Sequence, residues 1–265
     1  MYVAHGDAVF SASKRGNPVS VTKIVKRPRR IVRQKVRGVR VAITDGAPAW
    51  MRALFAPATH YADMLLVDHG IFRLFYLNRH KLADGAWRAA QPAPHQIRRI
   101  AAMGVKTIVN LRGERYCGSY WLERKACQAA GLQLENYQVR SRAAPSKAEV
   151  LGARDLFERI SYPMLMHCKS GADRAGLMST LFLIAKEKVP VDVARKQLGL
   201  KYGHIRQADT GILDYFFERY LEDNAKSPIE FFDWVERVYD PDEVKRSFAA
   251  KGWANILVNR VLRRE

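Results

Sequence analysis

The chain has 265 residues, 48% of them hydrophobic, with 45 Lys and Arg against 26 Asp and Glu. That is enough apolar material for a sizeable core, which argues against overall disorder and suits one main domain with appendages. No apolar run reaches the length of a membrane-spanning helix, the polar N-terminus does not read as a secretory leader, and three scattered cysteines make no disulfide scaffold, so a cytoplasmic protein is expected.

The net charge of +19 is unevenly spread. Residues 1–50 carry eleven Lys and Arg against Asp7 and Asp45, close to half of the excess. Residues 1–46 therefore read as a basic N-terminal arm without regular pattern, either a solvated tail or an arm peripheral to an anionic membrane surface. Charge alone is weak ground for a nucleic-acid partner. Residues 47–84 are richer in apolar groups, including Trp50, Phe55, Leu65, Phe72 and Phe75, and are expected to pack as an extension on the main domain.

Residues 85–225 alternate strand and helix patterns. Ala86 to Ala90 reads as a strand leading to Pro92 and Pro94, which suit a loop and a first helical turn. Ile97, Ile100 and Ala101 follow with helical spacing, closed by Gly104. Val105 to Leu111 is a β-branched central strand. Tyr120 to Ala130 reads as a helix ended by Gly131, and Leu132 to Val139 as the next strand. Ser146 and Glu149 are spaced as a capping box opening another helix. Pro163 to Met166 is a short buried strand, and Ala175 to Ala185 a helix apolar all round. The fold class expected is α/β: a central, mostly parallel sheet flanked by helices, with a helical C-terminal part. Helices are expected at Pro190 to Leu198, Thr210 to Leu221, Pro228 to Tyr239, Pro241 to Ala250 and Trp253 to Leu262, with residues 226–265 set apart as C-terminal helices.

Between that strand and the buried helix lies His167-Cys-Lys-Ser-Gly-Ala-Asp-Arg174. A strand ending in cysteine, a five-residue loop and an arginine at a helix start is phosphate-binding geometry. The backbone N–H groups of Lys169, Ser170, Gly171, Ala172 and Asp173 converge into an anion nest, and the helix N-terminus adds positive charge. Arg174 can grip two phosphate oxygens with its fork. Cys168, in this positive field, is expected as the thiolate, the attacking form.

The pattern of His, Cys, five residues and Arg resembles the signature of the cysteine-dependent protein tyrosine and dual-specificity phosphatases. Trp87-Arg-Ala-Ala-Gln-Pro92 and Gly104-Val-Lys-Thr-Ile-Val-Asn-Leu-Arg112 resemble the opening strand and first helix-to-strand passage of the compact bacterial and plant-type enzymes. The resemblance covers residues 80 to 225. It implies that Cys168 forms a thiophosphoryl intermediate, that Arg174 and the loop amides hold the phosphate, and that His167 orients the loop. It also implies a phosphorylated protein as first-choice substrate, with a phospholipid or inositol phosphate as the second.

Two positions depart from the family pattern. Relatives place an aspartate about thirty residues before the cysteine, but Gln138 to Pro145 contains no carboxylate. Asp173 is the first substitute, by resemblance to the myotubularin-type arrangement, against a purely structural role at the helix start. Glu114 is the reserve. Ala175 stands where many relatives carry Ser or Thr, which leaves a catalytically weak phosphate-binding module as a third reading. Cys117 is weighed as a resolving partner for Cys168, and Cys127 as a small buried hydrophobe. No His stands at metal-ligand spacing with a cysteine, so neither metal nor cofactor is expected.

Overall fold

The structure, a computed structural model, describes residues 48–68 and 71–250. The basic arm 1–46 and the stretch Trp253 to Leu262 lie outside the described residues.

A five-stranded sheet forms the centre, in spatial order β1-β2-β5-β3-β4. Strands β2 (Ala86–Ala90), β5 (Met164–Cys168), β3 (Thr107–Asn110) and β4 (Gln133–Asn136) run parallel. At one edge β1 (His80–Ala83) pairs antiparallel with β2, a hairpin that the sequence pattern did not reveal. The expected α/β class holds, with this one antiparallel edge. The last strand to enter, β5, lies between β2 and β3 and is buried at every position.

The side chains of β5 alternate between the two layers, with the two-residue period of a strand. Met164, Met166 and Cys168 face one layer, where they join Phe157, Leu181 and Phe216. Leu165 faces the other, with Ile97, Ile100 and Cys127. The second layer is built by α3 (Pro94–Ala102) and α4 (Gly118–Ala129), the first by α5 (Lys147–Arg159), α6 (Asp173–Ala185) and α8 (Ile212–Lys226). Ser146 opens α5 as the capping box expected, accepting from the Glu149 amide and donating its own amide to the Glu149 carboxylate at 2.7 Å.

Ahead of the sheet lie α1 (Ala49–Ala62), a π-helical turn (Asp63–Val67) and α2 (Ile71–Phe75). His60 stacks on Trp121 of α4 with ring centroids 4.2 Å apart, and the Gly118 amide donates to Asp63, so this segment is fastened to α4. After α6 the chain is less regular than expected. The stretch Pro190 to Leu198 forms only the single turn α7 (Val191–Ala194) and a 3-10 turn. Further 3-10 turns then lead to α8, α9 (Phe231–Arg237) and α10 over 241–250. Beneath these helices Phe216 meets Phe231 and Tyr239 edge to face, Phe217 stacks on Phe231, and Trp234 lies tilted against Tyr239. Among the described residues no helix is long and apolar enough to cross a membrane.

Candidate active site

Cys168 closes β5 at its C-terminal end, only 3% exposed. The chain turns through Lys169 to Ala172 and enters α6 at Asp173, two residues earlier than the apolar pattern suggested. Gly171 sits at φ +77, and a Cβ there would come within 2.7 Å of the Ala90 amide nitrogen. The loop therefore requires glycine at this point for both backbone conformation and space.

What shapes the loop is the fate of its carbonyls. Arg88 of β2, fully buried, donates to Gly171 O at 2.6 Å and Ala172 O at 2.9 Å. Its other nitrogen donates to the Gln197 carbonyl at 2.7 Å, and the guanidinium lies 4.0 Å from the Tyr202 ring centre. Asn78 donates to Ser170 O and to Tyr202 O, each at 2.9 Å. The carbonyls of Ser170, Gly171 and Ala172 are thus tied outward to the scaffold. Among the described residues the amides of Ser170 to Arg174 donate to no backbone carbonyl. Carbonyls fixed outside leave N–H groups turned inward, the condition for an anion nest.

The cations converge on the same point. Burial lowers the Arg88 guanidinium to about 10, opposed first by its electrostatic interaction with Cys168. Burial likewise lowers Arg174, again opposed first by Cys168, while Arg112 and Arg115 lie near enough to repel it. Both guanidiniums therefore lie in the field of the sulfur. The buried Nε of Arg174 finds no acceptor among the described residues, as suits a fork kept for ligand oxygens.

Behind the loop, on the opposite face of β5, His167 is fully buried and its Nε2 faces the equally buried Glu123 carboxylate of α4. Gln91 donates to the other Glu123 oxygen at 2.7 Å, and its own carbonyl oxygen accepts from Arg73 at 3.0 Å and from Arg112. Arg112 then forks onto Asp68 at 2.6 and 3.0 Å. Arg73, Ser119 and Lys169 also reach Asp68. Lys169 is therefore paired, although its side chain is half exposed.

Asp173 is held by a second network. Its Oδ1 accepts from His204 Nδ1 at 2.8 Å, and His204 Nε2 donates to Asp214 at 2.7 Å. Burial alone would lower the His204 imidazole, but hydrogen bonds and charge from the two carboxylates raise it to about 9. An imidazolium donating from both nitrogens fits this arrangement. Glu114 is exposed on the loop after β3. Cys117 is partly buried and Cys168 buried, each an unbonded thiol. Cys127 is the buried hydrophobe expected, its thiol pushed up to about 12 by burial. In Gln138 to Pro145, Val139 and Ala144 are buried and Arg140 pairs with Glu149. No cluster able to hold a metal ion occurs among the described residues.

Sequence reasoning placed Cys168, Arg174 and the loop between them but missed Arg88, Glu123, Gln91, Asp68, Asn78 and His204 as participants. A signal existed for two of them. Arg88 is a lone charge in the predicted strand, flanked by Trp87 and Ala89, and Glu123 falls on the same helical face as Ala126 and Cys127.

A family model described as a DSP-PTPase phosphatase fused to NAD+ kinase matches residues 78–210, half of the chain. No curated protein matches. Among solved structures, P. aeruginosa TpbA is similar at 17% identity and TM-score 0.46, covering 65% of this chain and 91% of that one. PTPMT1 is similar at 19% identity and TM-score 0.42, covering 56% and 99% respectively. The core catalytic domain of the PP-IP phosphatase SIW14 from S. cerevisiae shows 15% identity and TM-score 0.44, covering 59% and 98%.

Proposed function

The chain belongs to the DSP-PTPase phosphatase family, and on that premise we propose that it hydrolyses phosphate monoesters through a thiophosphoryl intermediate on Cys168. The Cys168 thiolate attacks phosphorus, forming the S–P bond as the ester P–O bond breaks. The departing oxygen takes a proton. Water then attacks phosphorus, the S–P electrons return to sulfur, and inorganic phosphate leaves. Throughout, Arg174 and the amides of Lys169 to Asp173 carry the three equatorial oxygens as charge redistributes.

The observation that carries this reading is the outward tethering of the loop carbonyls by Arg88 and Asn78, which presets the amide cup around the sulfur. Asp173 is the proton donor in this proposal. A hydrogen bond from His204, itself held by Asp214, fixes the position of the Asp173 carboxyl group at the end of the loop.

Phosphotyrosine or phosphoserine/threonine on proteins is the first-choice substrate. A phosphorylated lipid or inositol is the second, supported by Arg112, Arg115 and Lys169 gathered beside the loop. The deciding experiment is phosphate release from an aryl phosphate by the purified chain beside Cys168→Ser. Release by the first and none by the second is expected; equal release, or none from either, would leave a phosphate-binding module. Phosphopeptides and phosphoinositides assayed in parallel rank the two substrate classes.

A further inference from the structure

The Asp68 carboxylate sits in an unusually complete cradle. Arg112 grips both of its oxygens, Arg73 reaches it at 3.1 Å, Lys169 at 3.2 Å, and the Ser119 hydroxyl donates at 2.8 Å. Arg73, Arg112 and Ser119 are buried, and Lys169 is the member open to solvent. Burial would raise the Asp68 carboxyl, but the bond and charge of Arg112, with Arg73 and Lys169, hold it well below the usual carboxylate range. Three cations meet Asp68, and even with the Glu123 carboxylate acting on Arg73 and Arg112 at longer range, positive charge remains in excess around the cradle.

The cradle also adjoins the phosphate loop. Lys169 follows the nucleophile in the chain, and Arg112 acts electrostatically on Arg174. Arg73 and Asp68 precede the family-matched segment, so this cradle is assembled partly by the chain ahead of it. A tetrahedral phosphate presents more oxygens and more charge than a carboxylate does, and these donors suit it better.

We propose that Arg73, Arg112, Lys169 and Ser119 form a second anion site, which takes the second phosphate of a bis- or polyphosphorylated substrate and which Asp68 occupies otherwise. The proposal rests on Cys168 being the reacting centre, and it narrows the substrate class from any monoester to one bearing a neighbouring phosphate.

The test compares inorganic phosphate with methylene bisphosphonate as inhibitors of aryl phosphate hydrolysis at constant ionic strength, in the full chain, Asp68→Asn and Lys169→Gln. Each variant is judged by its own ratio of inhibition constants. The bisphosphonate preference should rise about tenfold in Asp68→Asn and fall about tenfold in Lys169→Gln, the size expected for one charged hydrogen bond gained or lost. Unchanged ratios in both variants overturn the second site and leave Asp68 as an internal fastening. Should Asp68→Asn not fold, the Lys169→Gln ratio decides alone. If the unaltered chain hydrolyses no aryl phosphate, the phosphatase reading fails by itself, and calorimetric titration with the same two anions still judges the cradle. Parallel arms with a soluble inositol bisphosphate and with vesicles carrying a phosphatidylinositol bisphosphate, each against its monophosphate, identify a free ligand or a lipid headgroup as the source. No preference in either arm counts against the site.

Discussion

His167 and Glu123 face each other across the back of the central strand with neither side chain exposed to solvent. The strand's two-residue period sends Cys168 toward α6 and His167 toward α4, so the residue beside the proposed nucleophile is anchored on the far side of the sheet. Glu123→Ala would leave a buried imidazole nitrogen without its partner, at a cost of about 1–3 kcal/mol. Glu123→Gln keeps an acceptor oxygen of similar size and should recover much of that loss. Denaturant unfolding and aryl phosphate kinetics read both effects. An alanine variant with an unchanged midpoint would show that the pair contributes little.

Arg88 braces the loop, so its replacement should act on catalysis more than on folding. A lysine cannot donate to Gly171 O, Ala172 O and Gln197 together, as the fork does. Arg88→Lys is expected to reduce kcat/KM about 100-fold by displacing the loop amides, with a smaller change in Tm. Gly171→Ala should be at least as damaging, since its Cβ would collide with the β2 backbone at Ala89 and Ala90.

The His204 network makes stability depend on pH. Its folded value, about 9, lies above the ordinary histidine value of 6.5, so the contribution is fully present below about pH 6.5. It is lost as pH rises through 9, a decline of roughly 3 kcal/mol. Unfolding curves between pH 6 and pH 10 should show this slope in the unaltered chain and a flatter one in His204→Gln. Identical slopes would mean that the imidazole is not held as its cation.

Asp173→Asn separates acid catalysis from positioning. Aryl phosphates leave without much help, whereas alkyl phosphates need a proton on the departing oxygen. The variant should therefore lose about 100-fold on alkyl substrates and far less on aryl ones. Equal losses on the two would assign Asp173 to holding the helix start and His204.

The legible parts of this molecule were those whose evidence is contiguous. From Met164 to Ala185 a buried strand, a turn and a buried helix follow one another, and the proposed catalytic residues stand at the two junctions, Cys168 ending the strand and Asp173 and Arg174 opening the helix. The capping box at Ser146 and Glu149 and the helix-closing Gly104 were equally readable, because local hydrogen bonding and positive φ dictate those residue types. The hairpin strand β1 was hidden, being four residues with no alternation of exposure. Pro57 inside α1 obscured the helix ahead of the sheet. The support of the loop was least visible, since Arg88 meets partners 83 to 109 residues away and no periodicity records such a meeting.

That support has a consequence for dissection of the chain. Asn78 and Arg88 each hold the loop with one hand and the turn at Gln197 to Tyr202 with the other. A fragment trimmed to the signature and its flanking strand and helix would keep Cys168, Asp173 and Arg174 yet lose the mould that gives the cup its form. Transplanting the motif to another scaffold therefore means carrying both of these distant struts with it.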